Sequence, residues 1–262
     1  MGYSQSQRTL KFTLAYDGTR YAGWQAQRHA GQQPRTIQAI LEAALQRILQ
    51  EKVSVIGSGR TDSGVHALAQ VAHCRTRNKK ITPQRLLRSL NQLLPQDIAV
   101  MRVEEAPNTF HARFDAVRKH YRYRIHTGEA VLPFDRPHVY HVRYPLNVAC
   151  MRREATVLRG KHDMKALARA GHGRKNTVRK IESVRISRHG QELWIDVIGG
   201  GFLHAMVRSI AGTLIDIGRS RLPKGTIQRL LRTRLRKFAG ATAPARGLTL
   251  IQVDYLGTGY SL

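Results

Sequence analysis

The order of predicted strands and helices constrains the fold more than any other feature of this sequence. Strand-like segments in the first hundred residues lie at 9–16, 53–56, 69–75 and 98–104, and amphipathic helices separate the first from the second and the third from the fourth. The resulting order is β-α-β-β-α-β. This order is typical of a ferredoxin-like half, in which an antiparallel sheet carries helices on one face.

Both helices of this half have clear start signals. Thr36 is a candidate N-cap for a helix with apolar residues at 37, 40, 41, 44, 45, 48 and 49, a spacing that follows the helical period. Thr82 precedes Pro83, which suits a first helical position, and a leucine stripe then runs from Leu86 to Leu94. We therefore expect the two helices to begin at residues 37 and 83.

The second half repeats the same order more loosely, without a repeat of the sequence itself. Strands are predicted at 120–125, 180–188, 193–198 and 248–255, helices at 148–158 and 203–217, and an inserted basic helix at 224–237. Residues 128–147, with three prolines, are predicted to form an excursion between elements. The sequence thus predicts an α+β protein of two ferredoxin-like halves with antiparallel sheets, divided into domains 1–113 and 114–262.

The charge balance indicates the kind of partner. The chain has 44 Lys and Arg residues against 17 Asp and Glu residues, a formal net charge of +27. Basic residues occur in every segment, so the folded surface itself is expected to be positive. Such a surface suits a polyanion, because each neutralised phosphate releases counterions. We therefore expect nucleic acid as the partner, an RNA-binding cleft between the two halves, and a basic loop at 165–180 that could close over RNA.

Cysteine usage and hydropathy indicate the compartment. Cys74 and Cys150 lie far apart and outside any CxxC spacing, which predicts reduced, structural cysteines in a cytoplasmic protein. Apolar runs fall short of the ~18–20 residues of a transmembrane helix, and the N-terminus lacks the apolar core of a signal peptide. We expect no membrane partner.

Residues Gly57–Ala67, the aspartate loop, carry the clearest sign of chemistry: they read Gly-Ser-Gly-Arg-Thr-Asp-Ser-Gly-Val-His-Ala. Its glycines let the backbone approach a ligand closely. A carboxylate that faces RNA is repelled by phosphate, so its presence in this loop needs a reason other than binding. The best reason is chemistry on a base, and Asp62 is therefore a candidate nucleophile or base. Arg60 could neutralise it, touch phosphate or stack on an unpaired base. The plainer interpretation is an Asx-turn closed by Asp62, with Arg60 as its surface counter-ion.

The aspartate loop resembles the signature loop of the tRNA pseudouridine synthase A family (TruA-like). Further motifs extend this resemblance, in the expected order, over nearly the whole chain. They are Tyr16-Asp17-Gly18-Thr19, Gly23-Trp24-Gln25, Thr36-Ile37-Gln38, Leu41-Glu42, Leu90-Asn91, Leu94–Ile98, Phe110–Phe114, Tyr121-Arg122-Tyr123, His162-Asp163, Met206-Val207-Arg208, Ala243-Pro244-Ala245 and Gly247-Leu248.

The resemblance implies an RNA-modifying isomerase that converts uridine to pseudouridine at positions 38, 39 and 40, in the anticodon stem-loop of tRNA. It implies three catalytic roles: Asp62 as the nucleophile, Tyr121 as the ring that stacks on the uracil and a candidate to take the proton from carbon 5, and Arg208 as the ion-pair partner that keeps Asp62 charged. It also implies a C2 homodimer and a reaction without a cofactor. From the residues alone, Tyr121 could be one more strand aromatic and Arg208 a surface residue.

Flipping a base out of a helix costs a few kcal/mol, repaid by stacking and by a side chain that fills the gap. Arg60 is our candidate for that filler. Arg20, Arg113 and His66 are candidates for contacts to phosphate or to the substrate loop.

Metal chemistry is not expected. The local histidine clusters are His138-x-x-His141 and His162-Asp163, and neither has a cysteine or glutamate at zinc-like spacing. In so basic a chain these histidines are better explained as surface residues.

Two other classes of function remain open on the sequence. One is a non-catalytic RNA-binding module of two ferredoxin-like halves, although the aromatic pattern with which such modules read RNA is absent. The other is a hydrolase that uses Asp62 as a base, although it would lack a metal site or a paired carboxylate to activate water. Tritium release from labelled tRNA by wild type but not by Asp62→Asn would indicate an isomerase, whereas tight binding by both proteins without release would indicate a binder.

Overall fold

The computed structural model describes residues 7–26, 34–169 and 176–256, and these form a mixed α+β protein with mostly antiparallel sheets. The described residues belong to two compact units. Unit 1 contains those up to Val117 and those from Ile251 onward, and unit 2 contains Arg118–Leu250. Residues 170–175 of the predicted basic loop lie outside the described residues.

Unit 1 follows the predicted order of elements. These are β1 (Arg8–Tyr16), α1 (Ile37–Leu49), β2 (Ile56–Gly57), β3 (His66–Thr76), α2 (Pro83–Leu93) and β4 (Ile98–Ala106), together with the end of β10 (Leu248–Tyr255). β1 is antiparallel to both β3 and β4, and β2 is antiparallel to β3, which gives the strand order β4-β1-β3-β2.

The predicted helix starts are confirmed, and their caps explain them. The Thr36 hydroxyl accepts a hydrogen bond from the Ala39 amide, and the Thr82 hydroxyl accepts one from the Arg85 amide. Each cap satisfies an amide that has no partner within its helix. The centres of both apolar stripes are buried, as are Leu10, Phe12 and Leu14 on the inward face of β1, whereas Leu93 at the end of α2 is exposed.

The predicted strand at 53–56 is wrong in extent, since β2 contains only Ile56 and Gly57. Val53 and Val55 are buried as expected for a strand. The Val55 amide, however, donates to the Glu42 carboxylate on α1 at 2.8 Å. A helix side chain therefore takes the hydrogen bond that a neighbouring strand would have accepted.

Unit 2 contains most of β5 (Ala116–His126), then β6 (Tyr140–His141), α3 (Val148–Thr156), β7 (Gly160–Asp163), β8 (Val178–His189), β9 (Glu192–Gly199), α4 (Met206–Gly218), α5 (Thr226–Thr233) and the start of β10. Strands β5-β9-β8-β7 pair antiparallel in that order, and β6 runs parallel to the end of β5. Short 3₁₀ helices lie at Lys165–Leu167, Arg236–Phe238 and Ala245–Gly247.

Several predicted boundaries in unit 2 are wrong for local backbone reasons. The basic helix 224–237 is not continuous, because α5 ends at Thr233 and Arg234 adopts a left-handed conformation with φ 59°. The helix predicted from 203 begins at Met206, because Ala205 before it has φ 56°. The excursion 128–147 contains β6, and the predicted loop 165–180 contains a 3₁₀ helix and the first residues of β8.

Cys74 and Cys150 are both buried free thiols. Among the described residues, none of the helices is long and apolar enough to span a bilayer.

Candidate active site

The aspartate loop connects β2 to β3, and the residues around Trp24 hold its backbone. The Trp24 amide donates to the Thr61 carbonyl at 3.1 Å. The Tyr21 carbonyl accepts from the Gly64 amide at 3.3 Å and from the Ser63 hydroxyl at 3.1 Å. The Gly23-Trp24-Gln25 motif of the sequence therefore supports the loop that carries the candidate nucleophile.

Asp62 begins a tight turn that the main chain closes. The Val65 amide donates to the backbone carbonyl of Asp62 at 3.2 Å, and Gly64, the third residue of the turn, has φ 76°. A glycine is favoured there because a side chain is strained at positive φ. A backbone carbonyl therefore closes this turn. Asp62 is partly exposed.

Arg60 lies at the end of a relay of side chains that starts on α1. The Glu42 carboxylate accepts from the Gln38 amide at 3.0 Å, and the Gln38 carbonyl oxygen accepts from the Gln25 amide at 2.6 Å. The Gln25 carbonyl oxygen then accepts from Arg60 Nε at 3.1 Å. Two further sequence motifs thus converge on Arg60, whose own side chain is exposed.

The remaining predicted RNA contacts of unit 1 are anchored separately. His66 is buried, and its Nδ1 accepts from the Gly18 amide at 3.1 Å. Arg20 pairs with Asp97 through Nε and Nη2 at 2.9 and 2.6 Å, while its side chain remains 64% exposed. Arg113 is exposed, and its guanidinium lies 5.7 Å from the centre of the Phe114 ring.

The Asp97 carboxylate is kept in its charged form by its hydrogen-bond donors, although the residue is partly buried. Partial burial pushes the pKa of Asp97 upward, but hydrogen bonds from Tyr21 and Arg20 outweigh that effect and hold the pKa below its ordinary value. Hydrogen bonding to the same carboxylate raises the pKa of Arg20.

Gly23 is a position where an added methyl group would displace the loop backbone beside Asp62. Gly23 has φ 96°, and a Cβ there would lie 2.6 Å from the Thr61 carbonyl oxygen and 3.1 Å from the Asp62 carbonyl carbon. We expect Gly23→Ala to lower kcat by about 10²-fold, because small displacements of reacting groups are costly. Tritium release from tRNA labelled at carbon 5 of uridine measures this loss.

Gly225→Ala is the matched control, because Gly225 has φ 80° but no atom within 4 Å of an added Cβ. It carries the strain of positive φ without the collision. An equal loss of kcat in both variants would contradict the steric explanation.

In unit 2, Tyr121 lies on β5 and is buried. Its ring meets the Phe202 ring edge to face, with centroids 5.1 Å apart. Tyr123 is two residues along the strand and therefore on the same face. The Tyr123 hydroxyl donates to the Pro244 carbonyl at 2.8 Å, and burial raises its pKa far above the ordinary value.

Arg208 lies in the first turns of α4, where Nε donates to the Ala243 carbonyl at 2.9 Å. The Ala243 amide in turn donates to the Arg208 carbonyl at 3.1 Å. Two neighbouring carbonyls of the Ala243-Pro244-Ala245 motif thus accept hydrogen bonds from α4, through Arg208, and from β5, through Tyr123. The strand that carries Tyr121 and the helix that carries Arg208 are therefore both bonded to residues 243–244 of unit 2.

The opposite face of β5 is anchored by one buried carboxylate. Asp196 on β9 accepts from Arg122 Nε at 2.8 Å and lies 2.6 Å from His120 Nε2. Burial would raise the pKa of Asp196, but hydrogen bonds from His120 and Arg122 hold the pKa below its ordinary value. These bonds fix the residues on either side of Tyr121.

We expect Asp196→Asn to destabilise unit 2 by about 2–3 kcal/mol at neutral pH, because charge-assisted hydrogen bonds at a buried site are lost. A depressed pKa makes this stabilisation present above the unfolded pKa of about 4 and lost as the pH falls through the folded value. The difference in Tm between wild type and variant should therefore shrink in acid. Glu182→Gln is the control, because Glu182 meets Arg118 only at 3.6 Å and its side chain is 36% exposed. A Tm difference that stays constant down to pH 3 would contradict this account.

Two buried polar residues of the site were missed by sequence reasoning. Gln70 and Asp196 are both almost fully buried on strands whose neighbours are largely apolar. A polar residue in such a run is a usable signal, because a buried polar group requires hydrogen-bond partners.

Comparison with known proteins identifies the chain. A family model described as tRNA pseudouridine synthase matches residues 13–115 and 155–256. The tRNA pseudouridine synthase A of Moorella thermoacetica is 44% identical over 94% of this chain and 99% of its own length. Those of Pelobacter propionicus and Geobacter sulfurreducens are 44% and 43% identical, each over 95% of this chain and 100% of the relative.

A strongly cationic α+β protein with a carboxylate in a braced glycine-rich loop fits the class of enzymes that act on RNA. The chain belongs to the tRNA pseudouridine synthase family and is an isomerase that converts uridine to pseudouridine in tRNA.

Proposed function

We propose that this enzyme modifies positions 38, 39 and 40 of the anticodon stem-loop, with Asp62 as the nucleophile acting on a flipped uridine. The observation that carries this proposal is the aspartate loop, whose backbone is held by Tyr21 and Trp24 and forms a main-chain turn that begins at Asp62. A rigid loop keeps the carboxylate positioned before the substrate arrives, which lowers the entropic part of the barrier.

Asp62, Tyr121 and Arg208 have complementary roles in this mechanism. Asp62 attacks the uridine and the glycosidic bond breaks. Carbon 5 of the retained uracil then bonds to the ribose and loses its proton, N1 gains a proton, and the bond to Asp62 breaks so that the free carboxylate is restored. Tyr121 stacks on the uracil and is the candidate to take that proton. Arg208 keeps the Asp62 carboxylate charged, because a nucleophilic carboxylate beside a base would otherwise be driven toward its neutral form.

The basic and polar residues of unit 1 bind the RNA in this proposal. Arg60 fills the gap that the flipped base leaves, and its relay from α1 supports the role by limiting the conformations of the side chain before binding. Arg20, Arg113 and His66 contact phosphate or the substrate loop. The reaction uses no cofactor and no metal.

We further propose two ferredoxin-like halves, with functional domains 1–113 for the aspartate and 114–262 for the tyrosine and arginine. The order β4-β1-β3-β2 in unit 1 supports the first half, and β10-β5-β9-β8 supports the second, since both place the four strands of a β-α-β-β-α-β unit in the order 4-1-3-2. A cytoplasmic location, a C2 homodimer and the RNA-binding cleft between the halves stay predictions.

The test of the substrate uses a single unmodified tRNA with uridine at positions 38, 39 and 40, and three variants in which one of these uridines is replaced by cytidine. Pseudouridines are mapped by reverse-transcription stops after carbodiimide treatment. We expect each replacement to remove the stop at its own position and leave the others. Pseudouridine outside these three positions, or none within them, would contradict the proposed specificity.

A further inference from the structure

We propose that Gln70 is the positioning residue that holds the aspartate loop in its reactive shape. This inference rests on the proposed role of Asp62. Gln70 lies on β3, is completely buried, and bonds to two consecutive residues at the start of the loop, Ser58 and Gly59.

The Gln70 carboxamide uses both its acceptor and its donors. Its carbonyl oxygen accepts from the Ser58 hydroxyl at 2.7 Å, and its amide donates to the Gly59 carbonyl at 3.0 Å. The same amide lies 3.5 Å from the Tyr16 hydroxyl. One side chain of a neighbouring strand thus binds consecutive residues of a loop that is rich in glycine.

Tyr16 extends this network to the residue next to the nucleophile. The Tyr16 and Thr61 hydroxyls are 2.9 Å apart, and Thr61 directly precedes Asp62. Burial raises the pKa of Tyr16 to about 12, so its hydroxyl keeps its proton. Ser58, Gly59 and Thr61 are therefore all tied to β1 or β3.

A buried carboxamide at position 70 specifies the shape of the aspartate loop rather than raising the free energy of unfolding. A buried apolar side chain of similar volume would pack without the cost of desolvating an amide. A fully satisfied polar network instead favours one arrangement of its members. The three glycines of the aspartate loop have wide conformational freedom, so the loop needs such a constraint.

The experiment compares Gln70→Met with wild type in single-turnover and steady-state tritium release from tRNA labelled at carbon 5 of uridine. Methionine keeps the length of the side chain but can neither donate nor accept these hydrogen bonds well. We expect kcat to fall by about 10- to 100-fold because the carboxylate is displaced. We expect KM for tRNA to stay within about 3-fold, because the lost interaction acts on the reacting group.

A second variant and a control separate positioning from general damage. Tyr16→Phe removes one hydroxyl from the network and should lower kcat by a smaller factor, also without raising KM. Asn91→Leu removes two hydrogen bonds of 2.8 Å to Val100 elsewhere in unit 1, so it should lower Tm but not kcat.

Hydrogen exchange gives a readout that does not depend on catalysis. The amides of Ser58 and Val65 should exchange faster in Gln70→Met, while those of α1 and β1 keep their protection. Unchanged kcat and unchanged exchange in a folded Gln70→Met or Tyr16→Phe protein would overturn the inference, as would equal kcat losses in Gln70→Met and Asn91→Leu. Failure of the proposed function would be distinct, since Asp62→Asn would then release tritium like wild type.

Discussion

Asp62→Asn is expected to bind tRNA at least as tightly as wild type and to release tritium at least about 10³-fold more slowly, because the nucleophile is lost while the loop is kept. The main chain closes the Asp62 turn, and asparagine fits the same backbone. Removing a negative charge from a cationic surface also favours RNA. The measurements are tritium release under single-turnover conditions and filter binding at fixed salt.

The control for this exchange is Asp254→Asn, the same chemical change on β10, where Asp254 accepts from Gln252 at 2.5 Å. It should bind and react as wild type does. Slow release by Asp62→Asn together with weak binding would instead indicate a distorted loop. Release at the wild-type rate would exclude Asp62 as the nucleophile.

Gly212→Ala is expected to destabilise unit 2 by about 2 kcal/mol, although the same change in most helices stabilises. An alanine Cβ at this position in α4 would lie 1.8 Å from the Ala241 carbonyl oxygen. Relief of that collision moves α4 away from residues 241–243 and so stretches the bond from Arg208 to the Ala243 carbonyl. We therefore also expect kcat to fall by about 10²-fold.

Differential scanning calorimetry and tritium release measure the two effects, and a loss of about 2 kcal/mol should lower Tm by roughly 4–8 °C. Gly201→Ala is the stability control, because an added Cβ there has no neighbour closer than 3.9 Å. A rise in the Tm of Gly212→Ala, as helix propensity alone demands, would show that α4 and residue 241 are not in close contact.

The helices and strands of unit 1 could be predicted because their signals are local. Thr36, Thr82 and Pro83 mark helix starts by the hydrogen bonds and backbone angles that they supply, and a leucine stripe needs only the helical period. The two-residue length of β2 could not be predicted in this way. It depends on Glu42, which is distant in sequence and takes the Val55 amide.

The same distinction applies to the candidate site. The aspartate loop could be found because its motif is contiguous, and Gly64 has the positive φ that its place in the turn requires. The supports of the loop come from residues outside the motif, such as Gln38 for Arg60 and Gln70 for the loop backbone. Periodicity indicates which face such a residue lies on, but it does not give the partner.

The unit that carries the aspartate loop contains two separate stretches of the chain. Residues from Ile251 onward belong with those up to Val117, and the Tyr255 hydroxyl donates to the Ala112 carbonyl at 2.6 Å while its ring packs 5.2 Å from Phe110. During synthesis on the ribosome, unit 1 therefore completes its contacts only after the residues from Ile251 onward have been added. Unit 2, in contrast, is one continuous stretch of chain. A nascent chain stalled shortly before residue 251 would hold the whole aspartate loop in a unit that still lacks its final strand.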